Sequence, residues 1–132
     1  MKYLLDTHTW IWWHTRPAKL SAKVKGLISR PARYEELLLS AISVWEFCKL
    51  LEKGRLALSC ETEDWIQRAL DVPNLRLVPL TPSIAYHSTV LQDLNSSDPA
   101  DQIIVATARD ENATILTKDK VLRDCPHVLT KW

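Results

Sequence analysis

Glycine is scarce in this sequence, and Gly26 and Gly54 are the only two among 132 residues. A glycine-rich loop that surrounds a phosphate needs several glycines at fixed spacing, so P-loop and dinucleotide-binding folds are excluded. Cysteine is scarce as well, since Cys48, Cys60 and Cys125 are the only three and they form no C-x-x-C pair. Their odd number and spacing argue against a disulfide framework or a zinc site and indicate a reducing compartment.

Long hydrophobic runs are also missing. No apolar stretch approaches the roughly 20 residues that a membrane span needs. The apolar segment between Lys2 and Asp6 is far too short for the core of a signal peptide. A hydrophobic fraction of 46% and a charged fraction of 25% are those of an ordinary globular protein. We therefore expect a cytoplasmic protein that does not associate with membranes and forms a single domain over residues 1–132.

Strand-like and helix-like segments alternate along the whole chain. This alternation predicts an α/β fold, a three-layer α/β/α sandwich with a central parallel sheet of about five strands. The predicted strands are 2–6, 36–41, 75–80, 114–117 and 127–131. The predicted helices are 8–15, 21–29, 43–53, 62–71, 82–94, 99–112 and 118–124.

Four acidic residues stand close to points where a predicted strand gives way to a helix. They are Asp6, Glu46, Asp101 and Asp119. The carboxyl ends of parallel strands share one edge of the sheet, so these side chains are expected to converge there. Clustered carboxylates repel one another, and a hard divalent cation such as Mg²⁺ or Mn²⁺ neutralises them with the oxygen ligands it prefers. The pattern predicts an acidic metal site. Asp98 is a further candidate ligand, because residues three apart, such as Asp98 and Asp101, share one face of a helix.

Helix capping is the alternative explanation for each acid taken singly, because carboxylates are favoured in the first turn of a helix. Ser43 and Glu46 have the spacing of a capping box, and Asp98 is suited to cap the helix that Pro99 begins. Elsewhere the chain offers Ser and Thr at helix starts, whereas the acids gather where strands end. That joint pattern favours a metal site over capping alone.

The formal net charge of +1 conceals an uneven distribution. Without the four candidate metal ligands, 17 basic residues face 12 acidic ones. Many of the basic residues lie in the first half of the chain: Lys19, Lys23, Lys25, Arg30, Arg33, Lys49, Lys53 and Arg55. A basic surface around an acidic, metal-loaded pocket suits a polyanionic substrate, although solvated helix faces explain the same charges.

Four segments resemble the motifs of PIN-domain nucleases, and most closely those of the toxin subunits of VapBC-type toxin–antitoxin pairs. The segments are Leu4–His8, Ser40–Glu46, Asp98–Ala108 and Leu116–Asp119, in family order over essentially the full length. The resemblance implies that the catalytic, metal-binding acids are Asp6, Glu46, Asp101 and Asp119. It leaves Asp98 as a helix cap or a further ligand and gives Thr117 a supporting role. Gln102 departs from the family pattern, in which many members carry Arg.

The resemblance implies a ribonuclease that hydrolyses RNA phosphodiester bonds with water activated by Mg²⁺ or Mn²⁺. It also implies a toxin that pairs with a small antitoxin protein and forms a homodimer and a hetero-oligomer with that antitoxin. A housekeeping RNA-processing nuclease without an antitoxin is the alternative within the same class. A non-catalytic PIN-like domain and a receiver-like domain are further alternatives. The receiver-like reading is disfavoured because predicted strand 75–80 ends at Thr81 and Pro82 without an acid.

Six tryptophans are a high number for a chain of this length. The apolar, Trp-rich first helices predict a groove for an amphipathic segment of the antitoxin, or a platform on which bases stack. The residues of this predicted groove are Trp10, Trp13, Leu20 and Val24. Trp12 is expected to point away from Trp10 and Trp13 and to make an exposed contact, whereas Trp45 is expected in the core.

Overall fold

The computed structural model describes residues 1–29 and 35–132. Residues 30–34, which include Arg30 and Arg33 of the basic group, lie outside the described residues. The strands are β1 (Lys2–Leu5), β2 (Glu36–Ser40), β3 (Leu75–Val78), β4 (Thr114–Leu116) and β5 (Thr130–Lys131). The helices are α1 (Thr7–Thr15), α2 (Ala22–Ser29), α3 (Ala41–Glu52), α4 (Thr62–Leu70), α5 (Pro82–Thr89), α6 (Pro99–Glu111) and α7 (Lys120–Arg123). A short 3₁₀ turn, Pro17–Lys19, connects α1 to α2.

The five strands form one sheet in the order β3-β2-β1-β4-β5, and every neighbouring pair is parallel. Strand β1 is central, with Leu5 paired to Leu39 of β2 and to Leu116 of β4. Parallel neighbours need long crossover connections, which the helices supply. The predicted sandwich with a parallel sheet of five strands is confirmed.

Each face of the sheet carries its own hydrophobic core. Leu5 and Leu39 belong to a cluster that α1 to α4 cover on one face, whereas Leu4, Leu38 and Ile115 belong to a cluster covered by α5, α6 and α7 on the other. Successive strand residues point to opposite faces, so an uninterrupted leucine run is buried on both sides. The central strands are therefore held from both faces, which fixes the edge where they end.

Several helix boundaries differ from the predicted ones, and the start of α3 matters most. This helix begins at Ala41, and Ser40 Oγ accepts a hydrogen bond from the Ile42 N–H at 3.2 Å. The predicted capping box at Ser43 and Glu46 is therefore wrong, because Ser40, three residues earlier, already caps the helix. Helix α5 ends at Thr89 rather than near residue 94. Within the described residues, no helix is both long and apolar enough to cross a membrane.

Most of the predicted antitoxin groove is part of the core. Trp10, Leu20 and Val24 are buried in the cluster beneath α1 and α2, with at most 5% of each residue exposed. These two helices turn their apolar residues onto the sheet, so the prediction that the three residues line a surface groove is wrong. Trp13, the fourth residue of the predicted groove, remains partly exposed and packs against His14 with ring centroids 4.7 Å apart.

The expectation for Trp45 is also wrong, because 53% of this residue is exposed. Ser43 and Phe47 of the same helix are buried and face the sheet. Trp45 lies between them in sequence, about 200° around the helix from each, and therefore points away from the core. Its ring lies beneath the ammonium group of Lys49 at 5.6 Å.

Candidate active site and metal centre

The four predicted acids lie at the edge of the sheet where the parallel strands end. Asp6 directly follows β1, and Asp119 follows β4 by three residues. Glu46 occupies the second turn of α3, which comes directly after β2, and Asp101 occupies the first turn of α6. The elements that hold the acids are thus separate in sequence and adjacent in the fold.

The carboxylates are close enough to raise one another's pKa values by electrostatic repulsion. The negative charge of Asp119 raises the pKa of Asp6, and the negative charges of Asp6 and Asp101 raise the pKa of Glu46. The negative charge of Asp98 raises the pKa of both Glu46 and Asp101. Because such interactions fall off with distance, the structure brings all five acids together. Within the described residues, none of them is paired with a lysine or an arginine.

Asp6 is the most buried of the acids, at 7% exposure. Burial raises the pKa of its carboxyl, and repulsion from Asp119 adds to this, whereas hydrogen bonds and His8 act in the opposite direction. The Thr117 hydroxyl donates to Asp6 Oδ2 at 2.7 Å and accepts the Asp119 N–H at 2.9 Å. Thr117 therefore contacts both acids, and its supporting role stays a prediction.

Glu46 is held by a hydroxyl group that the sequence did not single out. The Thr7 hydroxyl donates to Glu46 Oε1 and also shares a 2.8 Å hydrogen bond with the Ser43 hydroxyl. Burial raises the pKa of Glu46 to about 7, and the negative charges of Asp6, Asp98 and Asp101 contribute to the same shift. No lysine or arginine in the described part of the chain is paired with Glu46 to offset this shift.

Asp101 and Asp98 have different contacts although they share the first turn of α6. The Ser96 hydroxyl donates to Asp101 Oδ2 at 2.9 Å, and Gln102 Nε2 donates to the Ser96 carbonyl at 3.2 Å. Burial raises the pKa of Asp101 to about 6, with repulsion from Asp98 as a further cause. Asp98 is exposed and caps the helix by accepting the Ala100 N–H at 3.0 Å.

Capping accounts for three of the five acids. Asp6 accepts the Thr7 N–H at 2.8 Å, Asp98 caps α6, and Asp119 accepts the Val121 N–H at 2.9 Å. Glu46 and Asp101 cap no helix and are bonded to side-chain hydroxyls instead. Since both are half-buried beside like charges, capping cannot explain their position. These two acids therefore need an explanation other than helix capping.

Sequence reasoning missed the hydroxyl groups that position the acids: Thr7, Ser43 and Ser96. Adjacency to Asp6 was the only sequence signal for Thr7. Ser43 drew attention as a helix cap, whereas it is fully buried and bonded to Thr7. Ser96 lies in the segment before α6, and nothing in its sequence context pointed to a contact with Asp101.

The donor chemistry of the site fits a hard divalent cation, since the clustered groups are carboxylate oxygens without a basic partner. A closed ligand cage is not preformed, because no three His, Cys, Asp or Glu side chains in 1–29 and 35–132 are arranged to hold a metal ion. Hydrogen bonds to Thr7, Thr117 and Ser96 hold three of the carboxylates. The candidate ligands are the carboxylates of Asp6, Glu46, Asp101 and Asp119, which are clustered but not arranged around an ion position.

An open cavity of about 310 Å³ borders two of the acids. Asp6 and Asp119 line it together with His8, Trp12 and Lys118. The family profile of the PIN domain matches residues 3–128, which is nearly the whole chain. The chain belongs to the PIN domain family. The resemblance noted from the four motifs is confirmed, and a receiver-like domain is ruled out.

Relatives of this PIN domain cover it from end to end. Ribonuclease VapC22 of Mycobacterium tuberculosis is 34% identical over 131 residues, which cover 98% of this chain and 97% of the relative. The structure of VapBC2 from Rickettsia felis, bound to a DNA fragment from their promoter, matches with a TM-score of 0.72 at 17% identity and covers 99% of this chain and 98% of that one. FitAcB from Neisseria gonorrhoeae matches with a TM-score of 0.67 at 23% identity, over 97% and 95% of the two chains. The two structural matches show the shared fold.

The metal-free PIN domain is expected to lose stability as pH rises. Glu46 and Asp101 have folded-state pKa values of about 7 and about 6, above their ordinary values of 4.5 and 3.8. Between the ordinary and the raised values the folded state binds more protons than the unfolded state, so the free energy of unfolding falls as pH increases. Melting temperatures in EDTA should therefore decrease from pH about 5 to pH about 8.

Mg²⁺ or Mn²⁺ should raise the melting temperature most at the alkaline end of this range, where the carboxylates are ionised. Glu46→Gln should flatten the pH dependence in EDTA, because it removes one of the carboxyl groups whose pKa is raised in the folded state. A melting temperature that increases with pH in EDTA over the same range would contradict the electrostatic account of the site.

Proposed function

We propose that residues 1–132 form a single PIN nuclease domain that hydrolyses phosphodiester bonds in RNA with the help of Mg²⁺ or Mn²⁺. One observation carries this proposal: acids from separate elements converge at the carboxyl edge of the sheet, and Glu46 and Asp101 are half-buried there without a capping role. The 34% identity to a relative named Ribonuclease VapC22 supports RNA as the substrate.

The proposed metal ligands are Asp6, Glu46, Asp101 and Asp119. A bound ion supplies an acidified water and neutralises charge on the phosphate oxygens during hydrolysis. Thr117 holds Asp6, Thr7 holds Glu46 and Ser96 holds Asp101, so each of these carboxylates is oriented before substrate arrives. Asp98 stays at the start of α6 as a cap, because its carboxylate already accepts the Ala100 N–H.

We further propose that the protein is the toxin of a type II toxin–antitoxin pair. Structures of the same fold include VapBC from Salmonella typhimurium and a toxin–antitoxin complex from Klebsiella pneumoniae, which supports a small antitoxin protein as the partner. A homodimer that assembles with this antitoxin into a hetero-oligomer is part of the proposal. Its place of action is the cytoplasm, where the RNA substrate lies.

Purified protein is expected to cleave single-stranded RNA when Mg²⁺ or Mn²⁺ is added and to stop when EDTA is present in excess. The reason is that the acids repel both one another and the RNA until a cation neutralises them. Gel analysis of a labelled RNA measures the rate, and re-addition of metal after EDTA is the control. Cleavage that continues undiminished in EDTA would refute the metal-dependent mechanism.

The toxin role is tested separately, by expressing the protein in bacteria. Expression in a bacterium should arrest growth, and co-expression of a small gene adjacent to this one should restore it. Wild-type protein that cleaves RNA in vitro yet is harmless at high expression would refute the toxin role. It would support the alternative of a housekeeping RNA-processing nuclease.

A further inference from the structure

A second cavity adjoins the one that contains Asp6 and Asp119. It has a volume of about 400 Å³ and shares His8 and Trp12 with the cavity of the acidic site, so the two cavities lie side by side. Its charged lining is of the opposite sign. We call this second cavity the basic groove and define it by Trp12, Arg16, Lys19 and Arg55.

The three cations of the basic groove are available to a ligand. Arg16, Lys19 and Arg55 are exposed, and no ion pair in the described part of the chain involves them. They come from the end of α1, from the 3₁₀ turn and from the segment after α3. Cations drawn from three segments into one groove are not the exposed face of a single helix, and their combined field favours an anion.

The end of α3 fixes the position of Arg55. The Gly54 N–H donates to the Leu51 carbonyl at 3.0 Å, and the Arg55 N–H donates to the Leu50 carbonyl at 2.9 Å. This is a Schellman motif, in which Gly54 adopts a φ of 70° that side chains rarely tolerate. The glycine therefore ends the helix and places Arg55 at the wall of the groove.

Trp12 stands between the acidic site and the cations. Lys19 Nζ lies 5.2 Å from the centre of the Trp12 ring, and the rings of His8 and Trp132 contact it at centroid distances of 5.7 and 6.1 Å. These contacts hold a half-buried aromatic ring in one orientation, which suits it for stacking with a base. When a base stacks on the Trp12 ring in place of the Lys19 ammonium group, that ammonium group becomes free to bind a phosphate.

Helix α1 runs from the acidic site at Asp6 to the basic groove. His8 and Trp12 are one helical turn apart, and Arg16 follows after a further turn, where its N–H donates to the Trp12 carbonyl at 2.8 Å. Each step advances about 6 Å along the helix axis. The path thus begins beside Asp6 with two aromatic rings, His8 and Trp12, and continues to the cation of Arg16, the C-cap residue of α1.

We propose that the basic groove binds the single-stranded RNA substrate on one side of the cleaved bond, with a base stacked on Trp12 and phosphates bound by Arg16, Lys19 and Arg55. This inference rests on the proposed ribonuclease function and assigns it a substrate path. RNA matches the groove better than an acidic peptide does, because only RNA supplies both phosphates for the cations and a flat base for the aromatic ring.

The decisive experiment measures RNA binding separately from cleavage. Fluorescence anisotropy of a short labelled single-stranded RNA is recorded in EDTA, over a series of salt concentrations, for wild type and for Arg16→Ala, Lys19→Ala and Arg55→Ala. Each variant should bind more weakly, and each lost phosphate contact should lower the slope of log affinity against log salt by about 0.7. Arg109→Ala is the matched control, since this exposed arginine lies in the last turn of α6, far from the acids of its first turn.

Trp12 is tested by two substitutions. Trp12→Ala should weaken RNA binding about tenfold without changing the salt slope, whereas Trp12→Phe should retain most of the affinity because it keeps an aromatic face. Circular dichroism confirms that the variants remain folded. In cleavage assays with Mn²⁺, all the groove variants should raise KM and leave kcat near the wild-type value.

The outcomes separate this proposal from the proposed function. Groove-dependent RNA binding without any metal-dependent cleavage would retain the groove and refute the nuclease. A triple variant of Arg16, Lys19 and Arg55 that binds and cleaves RNA like wild type would overturn the groove and leave the nuclease intact. If that triple variant also escaped inhibition by the antitoxin, the groove would belong to the protein partner instead, and the proposal would again be overturned.

Discussion

Asp101→Asn is expected to reduce the rate of metal-dependent RNA cleavage by orders of magnitude while preserving the fold. The substitution keeps the shape of the side chain and a partner for the Ser96 hydroxyl, but it removes a negative charge from the proposed metal ligands. Hard divalent cations depend on such anionic oxygens. Initial rates at saturating Mn²⁺ measure the effect, and circular dichroism checks the fold.

Asp98→Asn is the matched control because it makes the same chemical change three residues earlier on the same helix. Asn caps a helix about as well as Asp does, so the bond to the Ala100 N–H and most of the activity should be retained. Asp101→Asn should also melt at the same or a higher temperature in EDTA, since it relieves repulsion among the acids. A large loss for Asp98→Asn with full activity for Asp101→Asn would reverse the assignment of the two residues.

Trp10→Ala is expected to lower the free energy of unfolding by about 3–5 kcal/mol, the range for truncating a large aromatic residue in a core. Trp10 is fully buried, and its ring meets Phe47 and Trp65 edge to face at centroid distances of 5.7 and 5.3 Å. Its indole N–H also donates to the Ala69 carbonyl at 3.4 Å. Chemical denaturation followed by circular dichroism measures the change.

Trp45→Ala provides the contrast, because it is the same substitution at a residue that is 53% exposed. The contact with Lys49 is at the surface, so its loss should cost less than about 1 kcal/mol. Equal destabilisation by the two substitutions would show that Trp45 is buried in the protein in solution. It would also contradict the direction in which α3 turns this side chain.

The sequence alone determined the architecture and the acidic residues. Alternating strand and helix patterns predicted a parallel sheet, and uninterrupted apolar runs such as 37–39 agree with strands buried on both faces. Asp6 and Asp119 could be placed near the carboxyl edge because each closely follows a strand along the chain. These inferences succeed because secondary structure and strand direction depend mainly on local pattern and on a few general rules of connection.

Only the tertiary structure decided which side chains meet. Thr7 and Glu46 are 39 residues apart, and their hydrogen bond requires α1 and α3 to end up side by side. The direction of Trp45 follows from which face of α3 packs on the sheet, since Ser43 and Phe47 are buried and Trp45 lies about 200° from each. The basic groove joins residues of three segments that no local pattern connects. Side-chain contacts of this kind follow from packing between distant segments, so the sequence names the chemical groups and the fold selects their partners.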